Sequence, residues 1–191
     1  MAKTNKRPDF LSLANKILQA RPRFVAVESK NFFKDGFRKG GWTDDSFQPW
    51  QPRKSPLGGK KILIGKDNTM NLMQSINTLE ENQNRVRTGS VLNYAKTHND
   101  GTEITVTTKM KKYWWAKYYE LSGKVKKTTT GKQSKAKANI RANAKAEYCK
   151  RMALMKVGSK IKIPKRKFIG ESKTLLKEFE IWFAAEVEKF K

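Results

Sequence analysis

Two residue types that carry much of protein chemistry are almost missing from this 191-residue chain, which has one cysteine, Cys149, and one histidine, His98. A single thiol closes no intramolecular disulfide, which argues against an oxidised secreted scaffold. One histidine builds no zinc site without further cysteines or histidines. A Cys149–His98 nucleophile pair would have to join residues from very different sequence contexts. Long apolar runs are missing too. No window approaches the roughly 18 apolar residues of a membrane span, and the start, MAKTNKRPDF, is not followed by the apolar stretch of a secretory signal. A soluble protein of a cytosol-like compartment is expected. The segment GGKKILIG lacks the Walker spacing and its Ser or Thr. Asp44-Asp45 could hold a divalent cation or form a turn with solvated carboxylates, and Glu80-Glu81 reads as a helix end or a solvated face. With no catalytic, cofactor-binding or metal constellation, the expectation is a protein that is not an enzyme and carries no cofactor.

Acids are the next scarcity. Against 42 Lys and Arg stand 17 Asp and Glu, for a formal net charge of +25. Such a surplus repels itself in a compact monomer and becomes tolerable beside something anionic: nucleic acid, an acidic membrane surface or an acidic protein. The charge is uneven. Residues 109 to 167 hold 20 Lys and Arg against two acids, Glu120 and Glu147, so most of the surplus lies in under a third of the chain. The hydrophobic fraction of 37% is low for a purely globular chain, whereas the aromatic fraction of 10% argues against general disorder. A real core with solvated basic stretches is expected, at a length suited to one domain.

Phe10, Leu13, Ala14, Ile17 and Leu18 recur at helical spacing, and Pro22 predicts a break or kink near Arg21. The pattern resumes through Phe24, Val27, Phe32 and Phe33 and ends at Gly40-Gly41. Residues 42 to 61 read as a long loop whose Trp42 and Trp50 pack either on the core or on a neighbour. Ile62-Leu63-Ile64 is a short apolar run. Met70 to Ile76 suggests a short helix or a helix-to-strand passage, with Asn68 or Thr69 as its cap. Residues 84 to 92 look like a strand with a Thr88-Gly89-Ser90 turn inside. Tyr94 to His98 continues as a helical turn before the Asn99-Asp100-Gly101 turn signal, and Ile104 to Thr108 alternates as a strand.

Tyr113, Trp114, Trp115, Tyr118 and Tyr119 form an aromatic cluster among lysines. One reading stacks them on unpaired bases while Lys117 and its neighbours track phosphates. The other makes them a strand whose aromatic faces are buried in the fold or in a subunit interface. Lys124 to Lys135, including Lys126 and Lys127, is linker-like. Gln133 to Lys156 is Ala-rich and reads as a basic helix carrying Arg141, Lys145, Lys150 and Arg151. That helix could lie in a nucleic-acid groove or rest on an acidic neighbour. Ile161, Ile163, Pro164, Phe168 and Ile169 form an extended segment. Ser172 caps a last helix on which Leu175, Leu176, Phe179, Trp182, Phe183, Val187 and Phe190 share a face.

Three pieces of the chain, in order, carry a resemblance. The first runs from Gly40-Gly41-Trp42 into Trp50-Gln51-Pro52-Arg53-Lys54 and on to Lys61-Ile62-Leu63-Ile64. The second is Tyr94-Ala95-Lys96-Thr97-His98-Asn99-Asp100-Gly101. The third is Ile163-Pro164-Lys165-Arg166-Lys167-Phe168-Ile169-Gly170 before the last helix. Together they resemble the phage virion morphogenesis family, the tail completion proteins of tailed bacteriophages. Residues 109 to 159 read as an insertion between the second and third pieces. The segments read as an α+β domain, with terminal helices on a small, mainly antiparallel sheet built from the central segments, and the Trp loop and the basic insertion are candidates for intersubunit arms. The resemblance implies a structural virion component at the head-to-tail joint, assembled in the host cytoplasm. Several copies would form a ring between head connector and tail tube, with contact to genomic DNA as an option and no membrane partner. The motif residues Trp50, Pro52, Tyr94, His98, Gly101, Pro164, Arg166, Phe168 and Gly170 would then fix the fold. The alternative is a basic nucleic-acid-binding protein.

Overall fold

The computed structural model describes residues 9–59, 61–65, 70–127 and 129–189. The chain is α+β; the described residues begin and end with long helices and hold three separate two-stranded antiparallel sheets between them. The expected single small sheet is thus divided into three hairpin-like pairs.

Helix α1 (Phe10–Lys39) runs unbroken through Pro22. The expected break does not occur. Proline removes one helical hydrogen bond and crowds the preceding turn, a cost of about 3 kcal/mol. Pro22 itself is buried, and packing on both sides of the helix offsets that loss. Asp9 caps the start by accepting from the Ser12 N–H at 3.1 Å. Gly40 ends the helix in the left-handed region, φ 77°, with its N–H donating to the Gly36 carbonyl at 2.8 Å.

Residues expected as loop begin instead with a tight hairpin, β1 (Gly41–Thr43) with β2 (Phe47–Pro49). Its tryptophans belong to the core of this chain: Trp42 and Trp50 are both buried. The two tryptophans thus take the core side of the expected choice between core and neighbour. The apolar run Ile62-Leu63-Ile64 forms a turn, with Leu63 at φ 58°. After the short α2 (Asn71–Gln74), strand β3 (Ile76–Glu81) pairs with β4 (Val86–Ser90). The caps expected at Asn68 or Thr69 lie outside the described residues. Glu80-Glu81 is strand, not helix end, and the turn falls at Asn82–Arg85, where the Asn82 side chain accepts from the Asn84 and Arg85 N–H groups. Thr88-Gly89-Ser90 is inside β4, because Gly89 sits opposite Asn77 in register rather than at a corner.

Helix α3 (Ala95–Asp100) leads into β5 (Thr102–Thr105), which pairs with β6 (Lys160–Ile163). The strand thus starts earlier than expected, and Thr108 opens a helix. Between β5 and β6 stands a helical hairpin, α4 (Thr108–Ser122) and α5 (Lys137–Leu154). Residues 113 to 119 are therefore helical, and the strand reading for the aromatic cluster is wrong. The β-propensity of Tyr and Trp is a statement about packing surface, and here the Thr107 cap, accepting from the Met110 N–H at 3.2 Å, starts a helix instead.

Helix α6 (Lys173–Glu188) lies along α1, with Phe24 stacked on Trp182 at 4.3 Å and edge-on to Phe179. Ser172 caps it as expected, accepting from the Leu175 N–H at 3.3 Å. The expected apolar face is only partly used: Leu175 is buried, Phe179 and Trp182 are half-buried, and Leu176 and Phe183 face solvent. Phe190 lies outside the described residues. The main core gathers Phe33, Phe37, Trp42, Trp50, Ile64, Leu72, Ile76, Ala95, Phe168 and Leu175. Phe37 touches Phe168 at 5.0 Å and Trp50 at 5.4 Å between ring centroids. Such ring pairs add about 0.5–1.5 kcal/mol each beyond area burial.

Candidate functional site

The residues singled out in the sequence fall in two places: a knot beside the main core and the surface of the basic hairpin.

The knot joins the three sequence pieces. Trp50 follows β2 and donates its indole N–H to the Lys167 carbonyl at 2.8 Å. Arg166 returns the link: its Nε and Nη2 both donate to the Gln51 carbonyl, at 3.2 and 3.1 Å. The Arg166 N–H donates to the His98 carbonyl at 2.8 Å. Gly101 takes φ 74°, and a Cβ there would stand 2.7 Å from the Lys165 backbone nitrogen. Only glycine combines that dihedral with that approach. Phe168 is fully buried. Gly170 has φ 148°, and a Cβ would meet the Lys167 side chain. Pro164 follows β6 and is half-buried, and Pro52 is exposed in the loop after Trp50.

Tyr94 and His98 share one side of α3, their rings 6.1 Å apart and nearly perpendicular. Burial, reinforced by the Arg166 charge, lowers the His98 pKa below its ordinary value. Burial and the Arg53 charge likewise lower that of Arg166. His98 Nδ1 is buried without a hydrogen-bond partner among the described residues.

Sequence reasoning missed the side chain that closes this knot. Asn99 Oδ1 accepts from both the Phe168 and Ile169 N–H groups, each at 2.9 Å. An Asn-Asp-Gly string signals only a turn, and the partners lie about 70 residues away. It also missed how Asp44 is used. The Asp44 carboxylate accepts from the Lys173 N–H at 2.9 Å at the start of α6, and Asp45 pairs with Lys173 Nζ at 2.7 Å. Carboxylates at a helix N-terminus meet its free N–H groups and its dipole. Among the described residues no group of three His, Cys, Asp or Glu could hold a metal ion.

The hairpin is built differently. On α5 the buried Ala146, Cys149 and Ala153 form a stripe of small side chains on which α4 closes. Trp114 meets Tyr148 edge-on at 6.0 Å across the pair, and Lys150 lies over Tyr118. Burial raises the Cys149 thiol pKa. On the outside, Tyr119 stacks at 5.9 Å with Trp115, and Tyr113 is edge-on to Trp114. Glu120 accepts from Lys117 at 2.6 Å and from Lys124 at 3.1 Å, which pulls its carboxyl down to about 2. The linker expected at Lys124 to Lys135 is a closed tip. Buried Asn139 accepts from the Lys126 N–H at 2.7 Å and donates to the Lys126 and Ser134 carbonyls.

From Lys124 to Lys145 there is no acid, and Lys124, Lys126, Lys127, Lys135, Lys137 and Arg141 are all exposed. Lys145 and Lys150 are half-buried along α5, and Arg151 lies over the Tyr148 ring at 5.3 Å. Cys149 and His98 stand on separate elements, one inside the hairpin and one in the knot. Among the described residues no helix is long and apolar enough to cross a membrane. Compared with models of known families, with characterised proteins and with solved structures, the chain matches none.

Proposed function

We propose that this chain is a structural virion protein of a tailed phage, a tail-completion component that assembles as a ring at the head-to-tail joint. The observation that carries the reading is the knot. Trp50, His98, Gly101, Arg166 and Phe168 come from three distant stretches that together resemble one family, and they meet in space through packing and backbone hydrogen bonds. Residues so used fix a shape, which suits stepwise binding. A closed ring needs two unlike faces per subunit. The projecting hairpin α4–α5, rooted on the β5–β6 pair, supplies one such face, and neighbouring copies, the head connector and the tail tube are its partners in this reading.

The test replaces residues 106–159 with Asn-Gly in the phage and counts joined particles. The account expects heads and tails to accumulate separately although the shortened protein is present at normal levels. Normal joining would contradict it.

A second reading has its own observation. The hairpin tip and the start of α5 present seven exposed basic residues from Lys124 to Arg141, with Glu120, paired to Lys124, as the neighbouring acid, the electrostatic footprint of a phosphate-binding surface. Affinity for DNA that falls steeply with salt, together with displacement from its protein partners by free DNA, would favour that reading.

A further inference from the structure

Beside the knot lies a cavity of about 330 Å³, walled by the turn after residue 58, by α2 and by α3. Two arginines reach it, Arg53 from the loop after β2 and Arg166 from the segment after β6, and His98 and Tyr94 line it from α3. Its remaining wall is largely apolar, with Ile62 and Leu72 among the residues present, and none of the described lining residues is an Asp or Glu.

Donors here outnumber acceptors. Arg166 is only 8% exposed. A guanidinium carries five N–H donors, and the bonds Arg166 makes converge on one carbonyl, that of Gln51. Arg53 donates to another carbonyl, that of Gly59. Neither arginine forms an ion pair with a carboxylate among the described residues. Buried charges are ordinarily paired, because removing one from water without a counter-charge is costly. The buried Nδ1 of His98 has no partner either. Two cations and an imidazole around a cavity with no acid among its described residues form a receptor for an oxyanion, and an arginine fork suits the paired oxygens of a carboxylate. The apolar wall suits a carboxylate on a hydrocarbon stem.

We propose that this cavity is an oxyanion site, shaped for a carboxylate carried on an apolar stem such as an acidic segment of an assembling protein chain. The site stands on its own geometry, whether or not the chain is a tail-completion protein.

The 191-residue chain has one histidine, so the His98 imidazole resonances in an NMR spectrum need no assignment and report on the cavity directly. Three probes separate the elements of the site: hexanoate supplies carboxylate and stem, inorganic phosphate the oxyanion alone, and hexanol the stem alone. Hexanoate is expected to shift the imidazole resonances saturably and to raise the His98 titration midpoint, while hexanol does neither. Tighter binding of phosphate than of hexanoate would keep the oxyanion site and name phosphate as its source. Arg53→Gln, which leaves the Gln51 anchor of Arg166 in place, is expected to weaken binding about tenfold, the scale of one charge-assisted hydrogen bond. Absence of saturable shifts with both anions, or unchanged affinity in Arg53→Gln, would overturn the proposal. Asp67 lies two positions beyond the lining residue Gly65 in sequence and outside the described residues; a fall in the His98 midpoint on Asp67→Asn without any probe would also overturn the proposal, because a carboxylate of this same chain would then already fill the site.

Discussion

Asn99 and Phe168 are joined by a hydrogen bond at 2.9 Å in which the asparagine side chain accepts the phenylalanine backbone N–H, and the next N–H, of Ile169, shares the same oxygen. One side chain thereby satisfies two backbone donors beside a fully buried ring. Leaving partly buried donors unmade costs about 1–3 kcal/mol apiece. Asn99→Leu is expected to lower the stability of the chain by about 2–4 kcal/mol in a urea titration, on that same scale. Asn99→Asp keeps the acceptor and should lose much less. Equal losses for the two variants would show that the acceptor is not what matters.

The single histidine gives a clean pH signature. The folded state lowers the His98 pKa, chiefly by burial and then by the charge of Arg166. The unfolded chain, with an ordinary value near about 6.5, therefore binds the proton more readily. Its contribution to stability is complete above that pH and is lost as pH falls from about 6.5 toward the lowered folded value. Denaturation midpoints measured between about pH 7 and 5 should fall with acid, and His98→Gln should flatten that part of the curve. A slope unchanged in the variant would place its origin elsewhere.

Within the hairpin, Asn139 carries the tip. It makes three hydrogen bonds to the backbone of Lys126 and Ser134 while only 7% exposed. Asn139→Ala should speed hydrogen exchange at the Lys126 amide by about tenfold or more, equivalent to about 1.4 kcal/mol of local opening. Exchange in β3 and β4 should stay unchanged, because that sheet packs on α1 rather than on the hairpin. A uniform acceleration across the chain would make the tip part of the global fold.

The hairpin itself is expected to be dispensable for folding of the rest. Thr105 and Lys160 are paired across β5 and β6, and Val106 N–H donates to the Ser159 carbonyl at 2.8 Å. A two-residue Asn-Gly turn in place of residues 106–159 closes the strands in the geometry such turns prefer. The shortened chain should unfold cooperatively and keep the Trp50 fluorescence environment. Loss of cooperative unfolding would show that α4 and α5 belong to the core.

What the sequence revealed, and what it hid, follows from the range of the forces involved. Local signals read well: the Gly40 stop, the Ser172 cap and the short helix at Tyr94 to His98 depend on neighbouring residues alone. Pro22 misled because packing along a 30-residue helix outweighs one missing hydrogen bond. The aromatic cluster at 113 to 119 misled because helix or strand there is decided by the partner, the small-residue stripe of α5, which lies more than 25 residues further on. The Trp loop was legible as a packing element but not as the core of its own chain, since the choice between core and neighbour is tertiary. Asn99 and Asn139 were invisible for the same reason: a polar side chain in a turn or helix gives no sign of the distant carbonyls and amides it will satisfy.

The most direct test of the central claim is a pair of mass measurements, light scattering on the purified chain and quantitative mass spectrometry on purified phage particles. The account predicts a free chain close to its monomer mass of 22.0 kDa and particles that each carry between about three and about twelve copies, the range of a small closed ring. Absence of the chain from particles, with tight and salt-sensitive binding of the free protein to DNA, would contradict it.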